Sequence, residues 1–449
     1  MTIIVQQSDE VFHEFSKLEI RTADSDRVFD LDLDFSSILD WSRQPHTRSL
    51  DFLVICAVVY AVDKIVRRNA ATDLWTRTLQ VSIPLREPSP WQLAADDLAQ
   101  SVSFLTGDSW TFTFTQAQGQ FQRRRANRRK PAKGFPNSPV VSLLSGGLDS
   151  FIGALDLLTE YPSSRLLFVS HYDRHVSGPA SDQDDLRRYL ESKFTGRLSH
   201  LQVRVGVVPS AIDEKFKFET SFRSRSLIFL GLAVYAANKI SDETPVLIPE
   251  NGPIALNMPL NPSRRGACST RTVHPFFLKS LRRALAAAGI ATPISNPYEL
   301  KTKGEMLKES RSLALAKEAF PKSNSCAKAG RKRYWQNPKA QACGTCVPCL
   351  FRRASLHAIG CDNETFGNDI GTVAPEDYPD FHALLGLLRR KPTRSEIAKS
   401  LIANGRLPMD KLEDYSAVIE RMIEEVTLWL AAKASRKALT LARIKRVSK

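Results

Sequence analysis

From Pro139 onward the chain alternates short, continuous apolar runs with helical stretches, and this alternation limits the folds open to it more than any other feature. The runs "VVSLL", "RLLFVSHY", "HLQVRVGVV" and "TPVLIPE" read as strands, with "SFIGALDLLTEY", "DDLRRYLESKF" and "SRSLIFLGLAVYAANKI" as helices between them. Strands that are apolar throughout are covered on both faces, and helical crossovers make them parallel. A doubly wound parallel-sheet α/β domain over residues 139–362 is therefore expected.

Its first strand and helix, "VVSLLSGGLDSFIGALDLL", enclose Ser145-Gly146-Gly147-Leu148-Asp149-Ser150. Ligands of doubly wound sheets gather at the carboxyl ends of strands, where a helix N-terminus offers unpaired amides and a partial charge of about +0.5. Gly146 and Gly147 allow the main chain close to a phosphate, and Ser145 and Ser150 carry hydroxyl donors. Asp149 would repel phosphate by itself, so it suits a site in which Mg²⁺ or a substrate donor intervenes. The stretch lacks the lysine and spacing of GxxxxGK[ST], and it is not GxGxxG. A plain glycine turn is the alternative.

Of the seven cysteines, four lie between Cys326 and Cys349, with Cys343, Cys346 and Cys349 at CxxCxxC spacing. In a chain without a secretory signal this fits a metal better than disulfides. Four thiolates at about 2.3 Å suit tetrahedral Zn²⁺ and leave no open position, so the site would be structural. A [4Fe–4S] cluster with Cys326 or Cys361 as fourth ligand is the rival reading.

The flanks read differently. Residues 1–120 are expected to form an α+β accessory domain, with alternating strands at "VFDLDLDF" and "WTFTFTQ". Helices are expected around "FLVICAVVYAV", running on to about Arg67, and over "WQLAADDLAQSVSFL". Residues 121–138 are basic, aperiodic and linker-like, and residues 363–449 form helices ending in the basic tail "RKALTLARIKRVSK". The net charge of +15 predicts attraction to nucleic acid, nucleotides or acidic partners. The N-terminus has acids where a signal peptide needs a basic region, and Phe52 to Val62 falls short of the ~20 residues of a spanning helix. A cytoplasmic chain with no membrane partner is expected.

"SGGLDS" after a strand resembles the PP-loop of the N-type ATP pyrophosphatases, which cleave ATP between its α and β phosphates. A PP-loop followed by C…CGxCxxCxxR resembles the QueC family, the 7-cyano-7-deazaguanine synthases; "CGTCVPCLFR" places Arg352 at the arginine. "FRSRSLIFLGLA" resembles the family's R-N-x-I-F-L-x-x-A helix, with Arg225 at the arginine and Ser226 in place of asparagine. "NPYELKTKGEML" resembles its K-x-E segment, through Lys303 and Glu305. The likeness runs from about Val140 to Ala358.

The resemblance implies a HUP-like PP-loop fold in which Leu144, Ser145, Gly146, Gly147, Leu148, Asp149 and Ser150 bind ATP with Mg²⁺. It implies catalytic roles for Asp149, Arg225 and Lys303, and structural Zn²⁺ on Cys326, Cys343, Cys346 and Cys349. The reaction implied is adenylation of the carboxylate of 7-carboxy-7-deazaguanine, then transfer to an amine. That amine is ammonia, giving amide and nitrile, or belongs to a protein. Large QueC-like chains with such flanks resemble the QatC type of bacterial anti-phage defence systems, which implies a protein partner. The segment "LIPENGPIALNMPLNPSRRGACSTRTVHPFF" lacks the family's glycine-tyrosine-proline-aspartate run, and Arg271 and His274 within it serve either a site or a helix start at Pro275. Two other readings remain: a PP-loop tRNA-modifying enzyme of the thiolase type, and a non-catalytic ATP-sensing subunit of a defence complex.

Overall fold

The strands of the central region are apolar on both sides, and both sides are covered. In the computed structural model, which describes residues 1–7, 18–23, 27–42, 46–118, 133–209, 216–221, 223–261 and 271–446, Val141, Leu143, Leu167 and Val169 face one core. Their neighbours Val140, Leu144, Leu166 and Phe168 face another. The first core is closed by the helices Thr47–Ile65 and Arg225–Asn238, the second by the helix Leu148–Glu160.

The architecture is α/β with a ten-stranded, mostly parallel sheet. In chain order the strands are β1 (Thr2–Gln7), β2 (Leu18–Thr22), β3 (Val28–Leu33), β4 (Thr78–Leu85) and β5 (Ser109–Gln116). Then come β6 (Val141–Leu143), β7 (Leu166–Tyr172), β8 (Leu198–Pro209), β9 (Val246–Leu247) and β10 (Ile294–Ser295). Their order across the sheet is β10-β9-β6-β7-β8-β3-β2-β1-β4-β5. The N-terminal and central regions thus share one sheet, joined by antiparallel pairing of β3 with β8 from Phe29 opposite Pro209 to Leu33 opposite Val205.

β5 is an edge strand with its outward N–H groups partly capped: Trp110 N donates to Ser103 Oγ and Phe114 N to Gln92 Oε1. Such capping blunts the template for pairing with another chain. The helix Thr47–Ile65 is buried without interruption from Ser49 to Ile65. Each large apolar side chain in it contributes roughly 1.5–3 kcal/mol by leaving water. Among the described residues no helix is long and apolar enough to cross a membrane.

The structure differs from the sequence expectation in several places. "TPVLIPE" supplies only the two-residue β9. "WQLAADDLAQSVSFL" is divided at Ala94 into the helices Pro88–Leu93 and Ala95–Thr106. The basic tail contains a helix, Arg436–Ala442, because Ala438, Leu439 and Ala442 dock on the C-terminal helices. Much of the expected linker lies outside the described residues. Its described end is pinned: Lys133 N and Gly134 N donate to Asp40 O and Trp41 O, and Phe135 packs on Trp41. The C-terminal helices build a core around Phe381, Leu384 and Trp429 that also takes in Ile254 and Leu256, just beyond β9.

Candidate functional site

β6 lies between β7 and β9; the chain leaves it toward β7 and β8, then crosses back to β9 and β10. The carboxyl end of β6 is therefore where the winding reverses, and crevices at such points hold ligands. Residues 144–147 occupy that point. Gly146 has φ +92°, and an added Cβ would lie 3.1 Å from Asp182 Cβ in the helix Pro179–Lys193. Both the left-handed bend and the close approach require glycine.

The chain then enters the helix Leu148–Glu160 at Gly147, with no side-chain cap. Ser150, expected to offer a ligand its hydroxyl, instead uses it inside the turn: Oγ accepts from Ser145 N at 3.1 Å and donates to Gly147 O at 3.0 Å. Ser145 stays exposed. No protein acceptor among the described residues takes the N–H groups of Gly146 and Asp149. Asn324 N donates to Gly146 O, and Leu148 N to Ser325 Oγ, so the turn is tied to the segment leading into Cys326.

Asp149 was expected to face Mg²⁺ or a substrate donor. Its carboxylate turns beneath the loop instead, 6 % exposed, where it pairs with Lys303 Nζ. Asn251 donates to it from Nδ2 at 2.7 Å and from its backbone at 3.3 Å. Burial acts to raise this carboxyl, but the Lys303 ammonium, with hydrogen bonds from Glu250, Lys303 and Asn251, outweighs it and holds Asp149 at about 2. Burial and then the Asp149 charge push Glu250 well above the ordinary carboxyl range.

Lys303 opens the helix Lys303–Lys308, whose N-cap Thr302 forms a capping box with Glu305. The glutamate of the K-x-E segment is thus a cap, and only the lysine reaches the loop. Behind it, Glu425 of the helix Leu412–Lys433 accepts from Thr302 Oγ1 and Gly304 N, while Arg421 binds Glu305. The C-terminal helices therefore hold the base of Lys303.

Arg225 lies with Tyr60, Asp173 and Asp182, away from the Asp149–Lys303 pair, so the three expected catalytic residues do not form one contact set. It opens the helix Arg225–Asn238, and the N-cap residue Ser224 donates from N and Oγ to Asp63 Oδ2 at 3.1 and 2.8 Å. Asp63 is itself fixed in a buried network with Arg68, Arg77 and Asp108. The Arg225 guanidinium is largely buried, which lowers its pKa, and it faces Tyr60, Asp173 and Asp182. Asp173 is committed to Lys64 and to Tyr60 Oη. Among the described residues Arg225 has no hydrogen-bond or ion-pair partner.

A cleft of about 500 Å³ opens beside the turn, lined by Gly178, Ser181 and Asp182 on one wall and Lys322, Asn324 and Lys332 on the other. Burial and the nearby Asp185 raise the Asp182 carboxyl to about 6. Asp182, Glu250 and Asn251 were not singled out in the sequence. Their signal was position: Asp182 is in the first turn of the helix after β7, and "PEN" follows β9.

The Sγ atoms of Cys326, Cys343, Cys346 and Cys349 lie within 4.8 Å of one another, and the four could hold a metal ion such as Zn²⁺. Gly344, at φ +81°, makes the tight turn between them, and Cys346 caps the helix Val347–Ala358. Backbone N–H groups of Lys328 and Cys343 point at Cys326 Sγ, and those of Thr345 and Cys346 at Cys343 Sγ. This is the donor pattern that stabilises thiolates. Contacts with Cys326, Cys346 and Cys349 draw the Cys343 thiol far below its ordinary range, and the Cys326 and Cys343 sulfurs push Cys346 above it. A cation would relieve that conflict. Cys361 stands apart, in the core beneath the helix Leu148–Glu160.

Arg352 is structural in its contacts: it bonds both carboxylate oxygens of Glu364, Ser323 Oγ and Phe320 O, 2 % exposed. Of the segment around Arg271 and His274, residues 262–270 lie outside the described residues. His274 is the N-cap of the helix Pro275–Ala287, its Nδ1 accepting from Phe276 N, and Arg271 lies over the Phe104 ring. Of the two readings open in the sequence, the helix start is the one these contacts fit. No family model matches the chain, and no curated protein matches it.

Proposed function

We propose that this chain is an ATP-dependent, AMP-forming carbon–nitrogen ligase that adenylates the carboxylate of 7-carboxy-7-deazaguanine, or a close analogue, and passes it to an amine. The observation that carries the reading is the uncapped glycine turn at the winding reversal of the sheet, with the Asp149–Lys303 pair locked beneath it. The chemistry begins when a carboxylate oxygen attacks the α-phosphorus and pyrophosphate leaves. An amine nitrogen then attacks the acyl carbon, AMP departs and the nitrogen loses a proton. A carboxylate resists nucleophiles until one oxygen belongs to such a leaving group.

In this reading the free N–H groups of Gly146 and Asp149 receive the leaving phosphates at the helix N-terminus. Lys303 has three donors, of which Asp149 engages one, leaving the others for phosphate oxygens. Arg225, with no ion-pair carboxylate among the described residues, screens the charge that builds on the phosphates. Mg²⁺ arriving with ATP would meet Asp182, a cleft carboxylate without an ion pair among the described residues. Zn²⁺ on the four cysteines would fix the wall of the cleft and take no part in the reaction.

The acceptor is ammonia or a protein amine supplied by a partner. Incubation with 7-carboxy-7-deazaguanine, ATP and Mg²⁺ should release AMP and support carboxylate-dependent exchange of pyrophosphate into ATP. Absence of both, with every amine offered and with co-expressed candidate partners, would sink the proposal. Intact mass spectrometry of those partners, looking for an added deazaguanine, identifies the acceptor.

A further inference from the structure

The segment between Cys326 and Cys343 is fastened at both ends to the sulfur cluster and near its middle by the buried Trp335, with Asn337 N donating to Gly367 O. Between these anchors runs the 3-10 turn Ala329–Tyr334. Arg331, Lys332, Arg333 and Lys339 on it and just beyond it are exposed, and among the described residues none is in an ion pair, Lys332 only facing Asp182 across the cleft. Their neighbour Lys328, by contrast, pairs with Asp380. Tyr334 is 68 % exposed, with the Arg333 guanidinium 4.7 Å from its ring centre.

A nucleoside triphosphate in the cleft would engage Lys322 and Lys332 at the wall. The cationic surface does not stop there; it continues over the outer side of the turn. Unpaired cations on a rigid support exchange the counterions of a phosphate chain favourably, and an exposed aromatic ring beside arginine is a platform for an unpaired base. An acidic polypeptide would satisfy the cations but has no use for the ring. We infer that the turn Ala329–Tyr334, anchored at the cysteine cluster, is a docking surface for a single-stranded nucleic acid, whose phosphates meet Arg331, Lys332, Arg333 and Lys339 while a base stacks on Tyr334.

The test is fluorescence anisotropy of the full-length, metal-loaded protein with labelled RNA and DNA oligonucleotides of about 15 nucleotides. Four phosphate contacts give a slope of log affinity against log salt of about −2.8, so binding weakens about 50-fold from 50 to 200 mM salt. The variant Arg331→Ala/Arg333→Ala should halve that slope. Tyr334→Ala should weaken binding about 5- to 150-fold and leave the slope unchanged. A preference between RNA and DNA identifies the sugar, and either preference supports the surface. The inference is overturned if neither oligonucleotide binds at 50 mM salt, if the variants bind like the parent, or if poly-glutamate of equal length competes as well as the oligonucleotide. Metal content and thermal midpoint verify that the variants are folded. Pyrophosphate exchange on the same samples separates this inference from the ligase reading, because Arg331, Arg333 and Tyr334 do not line the cleft.

Discussion

Lys303→Met removes the cation beneath the glycine turn and leaves Asp149 buried with hydrogen-bond donors only. Holding that carboxyl at about 2 instead of its ordinary 3.8 corresponds to roughly 2 kcal/mol of folding stability at neutral pH. Breaking a buried ion pair by deleting one partner costs about 3–5 kcal/mol. Asn251 still donates to the carboxylate from its side chain and backbone, which sets the expected loss at the lower end, about 3 kcal/mol. Because the folded pKa is depressed, this stabilisation is fully present above pH 3.8 and fades as pH falls through 2. Urea unfolding at pH 7, followed by circular dichroism and tryptophan fluorescence, should therefore show the full difference, and parent and variant should converge near the acid end. The double variant Asp149→Asn/Lys303→Met leaves no uncompensated charge and should recover to within about 1 kcal/mol of the parent, a coupling of 2 kcal/mol or more in the cycle. If the single losses simply add, to within about 0.5 kcal/mol, the pair is not the linked unit described. Pyrophosphate exchange should stay absent in the double variant even as stability returns, which separates the fold's need for the pair from the reaction's.

Gly146→Val places a side chain at φ +92° with Asp182 Cβ 3.1 Å away; it should lower stability by about 1–3 kcal/mol, read as a fall in thermal midpoint, and an unchanged midpoint would contradict the geometry. Arg225→Ala should change stability by less than about 1 kcal/mol, because nothing among the described residues pairs with the guanidinium, yet reduce exchange about 100-fold or more; a large stability loss with exchange intact would make Arg225 a structural residue. The purified chain should carry one Zn²⁺ and be colourless, and Cys343→Ser or a strong chelator should lower the thermal midpoint steeply. An absorbance band near 400 nm with bound iron would overturn the zinc assignment.

What could be read from the sequence was what is local. The turn at residues 144–150 and the cysteine spacing are runs of neighbours, and their chemistry survives without knowledge of the fold. The helix Thr47–Ile65 was legible because its burial is nearly complete. By contrast β1, β2 and β4 went unremarked: an exposed Ile4 between Ile3 and Val5 hides the alternation of β1, β2 has only five residues, and the alternation of β4 dissolves at Pro84 into consecutive buried residues. β10, at two residues, carries no period at all, whereas β9, equally short, was read from the apolar run around it. Asp182, Glu250 and Asn251 meet the loop only because the sheet places the ends of β7 and β9 on either side of β6. The K-x-E segment separates into two jobs, Lys303 at the loop and Glu305 at a helix cap, and spacing alone gives no hint of that division.

The seam between β3 and β8 bears on how such a protein can arise and be taken apart. A region that lends strands to the sheet beneath a site, and whose Asp63, Tyr60 and Lys64 fasten Ser224 and Asp173 beside it, has given up the freedom of a tethered module. Trimming the chain back to residue 139 would strip β8 of its neighbour and expose an unpaired strand where a sheet interior had been. The N-terminal strands and the central sheet would accordingly stand or fall together when the chain is shortened.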